Sequence, residues 1–313
     1  MKTGMKLERR GLPILIEALR PNQWIKNLAV FAPALFTGQL FNPVVFASAF
    51  SGFLIFCALS SASYLLNDVI DLPYDRLHPD KKNRPVASGR ILVSRAMETM
   101  IFLSFIALIA SFFVSIPFLL VALTFFFIHI LYSLYLKKIA VLDILTIALS
   151  FFLRVFAGEV ITGFHLSIWL TLTVVFLSLF IASCKRRSEL ELEGEKTRPT
   201  LANYRMRLLD FYTSTFATAT ILTYSLYTFL GIEQSSFLGP LRMLVALAFP
   251  NFEGRKLMIL TVPFVLYGIM RYAQLIYEKP VGEKPEMLVT QDRPLIASIL
   301  LWGTAVALII YVI

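Results

Sequence analysis

The sequence predicts an all-helical, polytopic membrane protein. Its 313 residues are 58% hydrophobic and only 16% charged, whereas soluble domains are about 45–50% apolar and about 25% charged. The mean hydropathy is +0.74, and the apolar residues form long runs of the length that a membrane-spanning helix needs. Because lipid offers the backbone no hydrogen-bonding partners, such runs are expected to be helices. A water-soluble enzyme is therefore not expected.

Nine stretches are long and apolar enough to span a membrane, and we expect them to form one integral membrane domain over 1–313. They are 25–42, 45–66, 96–114, 117–136, 141–163, 166–184, 209–231, 257–277 and 294–313. Pro33 and Gly38 interrupt the first stretch. The apolar run 240–249 is too short to span and is expected to lie at the membrane interface or to dip into the membrane.

The positive charges indicate the orientation. Most of the 29 Lys and Arg lie before the first predicted span or in the loops after the second, fourth, sixth and eighth. Because basic loops stay in the cytosol, we expect a plasma-membrane protein with cytosolic 1–24, 67–95 and 185–208. An odd number of spans then places the C-terminus outside. The net charge of +9 indicates membrane surfaces or anionic substrates as partners rather than nucleic acid.

The segment 67–90, NDVIDLPYDRLHPDKKNRPVASGR, carries the most informative polar pattern. At about 100° per residue, Asp68, Asp71 and Asp75 lie within about 60° of one another on a helix, and Asn67 flanks them. Pro73 is expected to end or kink this helix. Carboxylates this close repel one another unless a cation lies between them, and oxygen ligands suit Mg²⁺. We therefore predict a magnesium site at these four polar residues.

Basic residues follow the carboxylates directly. They are Lys81, Lys82, Arg84 and Arg90. Ammonium and guanidinium groups are the donors that a phosphate-rich ligand needs, so this loop is predicted to bind one. The alternative is a solvated loop of mixed charge that ends a span, which the in-phase carboxylates disfavour.

The fifth predicted span contains two ionisable residues, Asp143 and Arg154. Eleven residues make almost three full helical turns, so the two share one face with Ser150. An ionisable residue at the depth of Arg154 normally faces the bundle interior or a wet cavity. Two interpretations stay open for it, a substrate contact and a paired residue that holds helices together. Asp143 is expected to contribute to the cytosolic polar site.

The NDxxDxxxD motif at the end of the second predicted span resembles that of the UbiA superfamily of intramembrane prenyltransferases. Further runs resemble its decaprenyl-phosphate phosphoribosyltransferase branch. They are LRPNQWIKN (19–27), HPDKKNRPVASG (78–89), YSLYLKKIAVLDI (132–144), FFLRVFAGEV (151–160), CKRRSEL (184–190) and EGEKTRPTLANY (193–204). The resemblance implies a bundle of nine transmembrane helices, with Mg²⁺ and pyrophosphate bound by the acidic motif at a cytosol-facing site.

The resemblance also implies an activity. It is the Mg²⁺-dependent transfer of 5-phosphoribose from 5-phosphoribosyl-1-pyrophosphate to a polyprenyl phosphate of the decaprenyl type, a step in making arabinan precursors for cell-wall biogenesis. The implied catalytic residues are Lys26, Asp68, Asp71 and Asp75. The implied substrate-binding residues are Lys26, Asn67, Lys81, Arg84, Tyr132, Lys137, Asp143, Arg154, Lys185, Arg186 and Glu189. By itself, a lysine at the end of a span is more typical of a snorkelling anchor.

The region after the sixth predicted span distinguishes the branches of the resembled superfamily. Aromatic prenyltransferases of the resembled superfamily carry a second aspartate-rich motif here, but this chain has no aspartate between Cys184 and Arg207. Lys185 and Arg186 at the span end suit a lipid monophosphate, although the positive-inside rule also places basic residues there. Glu189, four residues after Lys185, is alternatively a partner in a helix-surface ion pair.

Two other functions remain alternatives. The first is a UbiA-type transfer of a prenyl group from prenyl pyrophosphate to an aromatic acceptor, against which the missing second aspartate motif counts. The second is a transporter of an anionic solute that uses Asp143 and Arg154, against which the position of the carboxylates at one membrane face counts. The lipid bilayer is an expected partner in every case, and a homo-oligomer is an open alternative to a monomer.

Overall fold

The protein is helical throughout the part that the structure, a computed structural model, describes. This part comprises residues 14–78, 80–193, 204–230, 254–278 and 291–312, and it contains no strand, which confirms the predicted all-helical class. The α-helices are α1 (Ile14–Leu19), α2 (Ala32–Phe36), α3 (Pro43–Ile70), α4 (Leu72–Leu77), α5 (Val93–Val114), α6 (Ile116–Leu134), α7 (Leu142–Thr162), α8 (Ile168–Glu193), α9 (Met206–Leu230), α10 (Val262–Glu278) and α11 (Arg293–Tyr311). The 3₁₀ helices are Pro21–Phe31, Lys81–Asn83, Leu136–Lys138 and Gly254–Thr261.

Seven helical stretches in these ranges are long and apolar enough to cross a membrane, so the chain is a multi-pass membrane protein. They are Pro43–Ile70, Val93–Val114, Ile116–Leu134, Leu142–Thr162, Ile168–Glu191, Leu257–Glu278 and Arg293–Tyr311. Each matches a predicted span in position. The predicted count of nine is not confirmed.

The other two predicted spans differ from this pattern for local reasons. The stretch 25–42 is divided among the end of the 3₁₀ helix Pro21–Phe31, the five-residue α2 and a turn region. Pro33 lacks an N–H in the first turn of α2, and Gly38, at φ +74°, lies in the turn that ends the helical segment. The stretch 209–231 coincides with α9 over its described residues. Helix α9 is rich in Thr, Ser and Tyr, and it is not among the seven.

The helices pack in two compact units. Unit one comprises 1–28 and 53–134, and its buried cluster joins Ala18 of α1, Leu65 of α3 and Ala96 of α5. Unit two comprises 29–52 and 135–313, and one of its buried clusters joins Phe180 of α8 to Tyr272 of α10. The single membrane domain expected for 1–313 stays a prediction.

Helix α7 passes very close to Val30 and Pro33, which belong with it to unit two. A Cβ atom built on Gly158 would lie 2.2 Å from the carbonyl oxygen of Val30 and 3.0 Å from Cδ of Pro33. Only glycine permits this approach. The contact sets the position of α7, the helix that carries Asp143 and Arg154.

The long helices of unit one expose large apolar side chains. Phe102, Phe105, Phe112 and Phe113 of α5 are all exposed, as expected of a helix that faces lipid. Some predicted segments lie outside the described residues, namely 1–13, 194–203 and the apolar run 240–249.

Candidate active site

The acidic cluster of unit one lies where α3 meets α4. We use this name for Asn67, Asp68, Asp71 and Asp75. Helix α3 ends at Ile70 and α4 begins at Leu72, with Pro73 in its first turn, so the predicted break at this proline is confirmed. The N–H of Asp71 donates to the oxygen of Asn67 at 2.8 Å, and the N–H of Asp75 donates to the oxygen of Asp71 at 2.8 Å. The helical spacing of the four residues therefore continues across the break.

Two arginines contact the carboxylates of this cluster. Nη2 of Arg20 and Nη1 of Arg84 both donate to Oδ1 of Asp68, the latter at 3.3 Å. The same Nη1 atom of Arg84 donates to Oδ2 of Asp75 at 2.7 Å. Asp68 is 1% exposed and Asp75 is 3% exposed. Because an unpaired buried carboxylate is costly, the two guanidinium groups neutralise charges that water does not reach.

The other two members of the acidic cluster, Asn67 and Asp71, hydrogen-bond to each other. Nδ2 of Asn67 donates to Oδ2 of Asp71 at 2.9 Å. Across the described ranges, no three His, Cys, Asp or Glu side chains are grouped so that they could hold a metal ion. The predicted metal ligands thus lie on adjoining turns but are paired with arginine and amide groups, and their role as ligands stays a prediction.

Two features of the acidic cluster fit a divalent cation. Oδ2 of Asp68 is buried and has no hydrogen-bond donor among the residues that the structure describes, so it has lone pairs left for a ligand. Asp68 and Asp75 both contact one Nη1 atom of Arg84, so their carboxylates face a common point. A small hard cation takes oxygen ligands of this type.

A clamp around Arg90 joins the two chain segments that supply the arginines. Nη1 and Nη2 of Arg90 donate to the two carboxylate oxygens of Glu17 at 2.8 and 2.9 Å, and Nη2 also donates to the oxygen of Asn83 at 2.7 Å. The bonds to Glu17 raise the pKa of Arg90. Glu17 lies three residues before Arg20, and Asn83 directly precedes Arg84. The clamp therefore ties together the backbone beside both arginines.

The other predicted residues of unit one are half-buried. They are Lys26 in the 3₁₀ helix Pro21–Phe31, Lys81 at the start of Lys81–Asn83, and Tyr132 near the end of α6. The N–H of Lys81 donates to Nδ1 of His78 at 3.3 Å. Their substrate contacts stay predictions.

A second charged cluster lies in unit two, near the end of α8. The arginine cluster, as we call it, consists of Asp143, Arg186, Glu189 and Tyr204. Nε of Arg186 lies 2.7 Å from Oδ2 of Asp143, and Nη1 of Arg186 pairs with Oε2 of Glu189. The hydroxyl of Tyr204 donates to Oδ1 of Asp143 at 2.7 Å. All four residues are at most 4% exposed.

This burial changes the interpretation of the basic end of α8. Arg186 is 1% exposed, so it is not a solvated charge of the kind that the positive-inside rule places in loops. Glu189 is 4% exposed and pairs with Arg186, so its carboxylate is buried and does not lie on a solvated helix surface. Buried ion pairs contribute little net stability but make loss of one partner costly. The arginine cluster is therefore a preorganised polar site inside the protein.

Tyr204 is a member that the sequence did not indicate, because 61 positions separate it from Asp143. Besides donating to Asp143, its hydroxyl accepts the N–H of Val141 at 2.6 Å. Val141, at φ 73°, holds a backbone conformation that is rare for a β-branched residue. Burial, followed by the hydrogen bond to Asp143, raises the pKa of Tyr204. The hydroxyl of Tyr204 therefore stays protonated and remains a hydrogen-bond donor.

The remaining predicted residues of unit two are buried or half-buried. Arg154 is 3% exposed, and its Nη1 donates to the carbonyl oxygen of Ser150 at 2.8 Å and to its Oγ at 2.5 Å. Its guanidinium lies 5.3 Å from the ring centroid of Phe151. Lys137 is buried and Lys185 is half-buried. The predicted common face of α7 is confirmed for Ser150 and Arg154, whereas the substrate roles stay predictions.

Arg187 joins three helices of unit two and was not among the predicted site residues. Its Nε donates to Oδ1 of Asp210 on α9 at 2.8 Å, and its Nη1 donates to Glu191 at 2.7 Å. Its guanidinium lies 3.7 Å from the ring centroid of Tyr277 on α10, and the hydroxyl of Tyr277 also donates to Asp210 at 2.8 Å. Asp210 lies a few residues after the loop that lacks aspartate. Its carboxylate is thus engaged by Arg187 and Tyr277.

The chain is similar to known proteins over most of its length. Residues 28–284 match the model of the UbiA prenyltransferase family. The chain is 32% identical to the decaprenyl-phosphate phosphoribosyltransferase of Corynebacterium glutamicum over 305 residues, which are 95% of this chain and 87% of that protein. It is 33% identical to that of Mycolicibacterium smegmatis over 304 residues, 95% of this chain and 92% of the other.

A solved structure shares the fold. It is a UbiA homologue from Archaeoglobus fulgidus bound to DMAPP and Mg²⁺, with a TM-score of 0.69 and 20% sequence identity over 94% of this chain and 99% of that one. The acidic motif at the end of α3, the helical architecture and these similarities agree, and this chain belongs to the UbiA prenyltransferase family.

Proposed function

We propose that this protein transfers 5-phosphoribose from 5-phosphoribosyl-1-pyrophosphate to a polyprenyl phosphate of the decaprenyl type and releases pyrophosphate, in a Mg²⁺-dependent reaction. The observation that carries the proposal is the similarity, over 95% of the chain, to two proteins named decaprenyl-phosphate phosphoribosyltransferase. The acidic cluster with its adjoining arginines supports a donor that carries a pyrophosphate. The product is a lipid-linked ribose phosphate, which fits a role in making arabinan precursors for the cell wall.

The donor is proposed to bind at the acidic cluster. Asn67, Asp68, Asp71 and Asp75 would hold Mg²⁺, which neutralises charge on the leaving pyrophosphate as the C1–O bond breaks. Arg84, with Lys81 and Lys26, would donate hydrogen bonds to the donor's phosphates. Guanidinium and ammonium donors strengthen as negative charge develops on the leaving group, which lowers the barrier.

The acceptor phosphate is proposed to bind the basic residues of unit two. An oxygen of the polyprenyl phosphate attacks C1 of the ribose, a new C1–O bond forms, and the electron pair of the broken bond leaves with pyrophosphate. The attacking oxygen is already anionic, so no general base is needed. Lys185 and Lys137 would orient this phosphate, and the arginine cluster would hold the end of α8 that presents Lys185. Tyr132 and Arg154 complete the proposed substrate contacts.

We also propose that the acidic cluster faces the cytosol, because the segment that carries it, 67–95, contains six Lys and Arg and basic loops stay in the cytosol. The N-terminus is then cytosolic, and the C-terminus lies outside if the number of spans is odd. Cys57 and Cys184 are both buried, at 3% and 0% exposure, so a single introduced cysteine can be labelled selectively in intact cells with a membrane-impermeant maleimide. Asp80→Cys and His165→Cys both place the new thiol at an exposed position, before α5 and between α7 and α8 respectively. We expect His165→Cys to be labelled in intact cells and Asp80→Cys only after permeabilisation, and the reverse pattern would contradict the orientation.

The activity is tested with the purified chain in detergent. Radiolabelled 5-phosphoribosyl-1-pyrophosphate, Mg²⁺ and polyprenyl phosphate are expected to yield a labelled product that partitions into the organic phase. Asp68→Asn and Asp71→Ala are expected to abolish this transfer, as is EDTA. Asp80→Asn is the matched control, since Asp80 is exposed in the following loop.

The second candidate is transfer of a prenyl group to an aromatic acceptor, the reaction type that the family name describes. It is favoured by the fold shared with a homologue that binds DMAPP. If no ribose label moves while prenyl pyrophosphate is consumed in the presence of an aromatic acceptor, this candidate replaces the first. In the region after α8, the engagement of Asp210 by Arg187 disfavours it.

A further inference from the structure

Arg20 and Arg84 contact carboxylates that a divalent cation at the acidic cluster would need as ligands. Both guanidinium groups donate to Oδ1 of Asp68, and Arg84 also reaches Asp75 at 2.7 Å. They neutralise two carboxylates that are almost completely buried. Arg20 is a new member of this site, since its position 48 residues before Asp68 gave no signal in the sequence.

The carboxylate of Asp68 is only partly satisfied by these contacts. One of its oxygens accepts from two guanidinium groups, whereas Oδ2 is buried without a donor in the described part of the chain. A buried acceptor without a partner costs free energy. A divalent cation that coordinates this oxygen would remove that cost, and so the site is not complete with arginine alone.

A divalent cation and two guanidinium groups are in conflict at one buried carboxylate. Like charges at contact distance repel strongly where water is excluded, so a cation alone must displace the arginines and leave them without an anionic partner. The side chains of Arg20 and Arg84 are 24% and 26% exposed. They can therefore turn outward when another anion is present.

We propose that Arg20 and Arg84 hold the cation position until a pyrophosphate group arrives, and then exchange their carboxylate partners for phosphate oxygens while the divalent cation takes the carboxylates. This proposal rests on the proposed function, because that function supplies the pyrophosphate. Guanidinium groups bind phosphate as well as carboxylate, with the same fork of donors. Cation and pyrophosphate binding are then coupled, and each strengthens the other by the same factor.

The coupling predicts that loss of either arginine has opposite effects on the binding of the two ligands. Removal of the charge of Arg84 or Arg20 should tighten the binding of a divalent cation in the absence of pyrophosphate, because the cation no longer displaces a guanidinium group. The same change should weaken the binding of pyrophosphate in the absence of metal. If the arginine merely maintained the fold, its loss would weaken the binding of both the divalent cation and pyrophosphate.

The test uses the full chain in detergent and two probes that need no turnover. Binding of Mn²⁺ alone is measured from the electron paramagnetic resonance signal of free Mn²⁺, with Mg²⁺ as competitor, and binding of labelled inorganic pyrophosphate is measured in EDTA. For Arg84→Gln and Arg20→Gln, we expect Mn²⁺ to bind about tenfold more tightly and pyrophosphate more weakly. Arg76→Gln is the matched control, because Arg76 is exposed on α4 beside Asp75, and it should change both affinities less than about twofold.

Arg84→Lys guards against a trivial effect of misfolding, since it keeps the charge and should keep Mn²⁺ binding weak. If Arg84→Gln and Arg20→Gln bind Mn²⁺ no more tightly than the wild type, or if Arg84→Lys binds it as tightly as Arg84→Gln, the exchange of partners is wrong. If the wild type binds no Mn²⁺ even with pyrophosphate present, the proposed donor site is itself wrong. The two failures are therefore distinguishable.

Discussion

The hydroxyl of Tyr204 donates a 2.7 Å hydrogen bond to Oδ1 of Asp143, whose other oxygen lies 2.7 Å from Nε of Arg186. The carboxylate is completely buried, so these two contacts determine its orientation. Tyr204 follows the region 194–203, and Asp143 is in the first turn of α7. The hydrogen bond therefore ties the chain just before α9 to the ion pair that holds the end of α8.

Tyr204→Phe tests this relationship. The change leaves one oxygen of Asp143 without its donor, which costs about 1–3 kcal/mol for a buried acceptor. We expect a less stable protein in detergent and a higher KM for polyprenyl phosphate, with a smaller effect on the KM for the ribose donor. Tyr212→Phe is the control, since it removes a hydroxyl from a half-buried tyrosine of α9. Equal effects of the two substitutions would contradict the role of Tyr204.

The raised pKa of Tyr204 gives a second expectation, for alkaline pH. Tyrosine ordinarily titrates near 10.0, and burial with the bond to Asp143 raises the pKa in the folded protein. The stability that this donor contributes is therefore fully present below about pH 10, where unfolded tyrosine is also neutral, and it is lost as the pH rises toward the folded pKa. The difference in unfolding free energy between wild type and Tyr204→Phe should be constant from about pH 7 to 9 and shrink above about pH 10. A difference that shrinks already between about pH 7 and 9 would rule out this assignment.

Arg90 is expected to act as a positioning residue for the donor site through its clamp with Glu17 and Asn83. Loss of Arg90 to Ala should raise the KM for the ribose donor about tenfold or less, with little change in kcat, because Arg20 and Arg84 keep their own side chains. The exchanged pair Glu17→Arg with Arg90→Glu should recover part of the donor affinity that each single change loses. Arg95→Ala is the matched control at an exposed position early in α5. Failure of the exchanged pair to exceed both single variants would show that the clamp does not act through this ion pair.

Arg187 is expected to hold α8, α9 and α10 together through Asp210 and Tyr277. Asp210→Asn should destabilise the protein by about 1.5–3 kcal/mol, the range for a hydrogen bond to a charged group. Arg187→Lys should also be less stable, because an ammonium group has neither the fork that contacts Asp210 and Glu191 nor the plane that stacks on Tyr277. Chemical denaturation in detergent measures the stability of both variants, with Asp80→Asn as the control. If Asp210→Asn unfolds like the wild type, this junction does not contribute to stability.

Gly158→Ala tests the close approach of α7 to Val30. The added methyl group would lie 2.2 Å from a backbone oxygen, and the helices must separate to admit it, at a cost of about 1–3 kcal/mol or more. We expect a lower melting temperature and reduced activity. Gly303→Ala in α11 is the control, because nothing lies within 4 Å of its added methyl group and alanine favours a helix. Equal stability of the two variants would contradict the close approach.

The sequence by itself determined the properties that depend on composition and local spacing. Apolar length predicted nine spans, and seven of them coincide with helices long and apolar enough to cross a membrane among the described residues, because in lipid the backbone has to form its hydrogen bonds internally. The spacing of Asp68, Asp71 and Asp75 predicted an acidic face, and the backbone bonds through Asp71 preserve it across the break at Pro73. The motifs and their order indicated the family. These features need only neighbouring residues.

The tertiary structure decided which distant side chains meet. The pairs Arg20 with Asp68, Tyr204 with Asp143 and Arg187 with Asp210 are 48, 61 and 23 positions apart, and helical periodicity carries no information over such distances. The structure also decided that Arg186 is buried rather than solvated, and that 25–42 is not one long α-helix. These outcomes depend on packing, because a buried charge is placed where a partner compensates its loss of water.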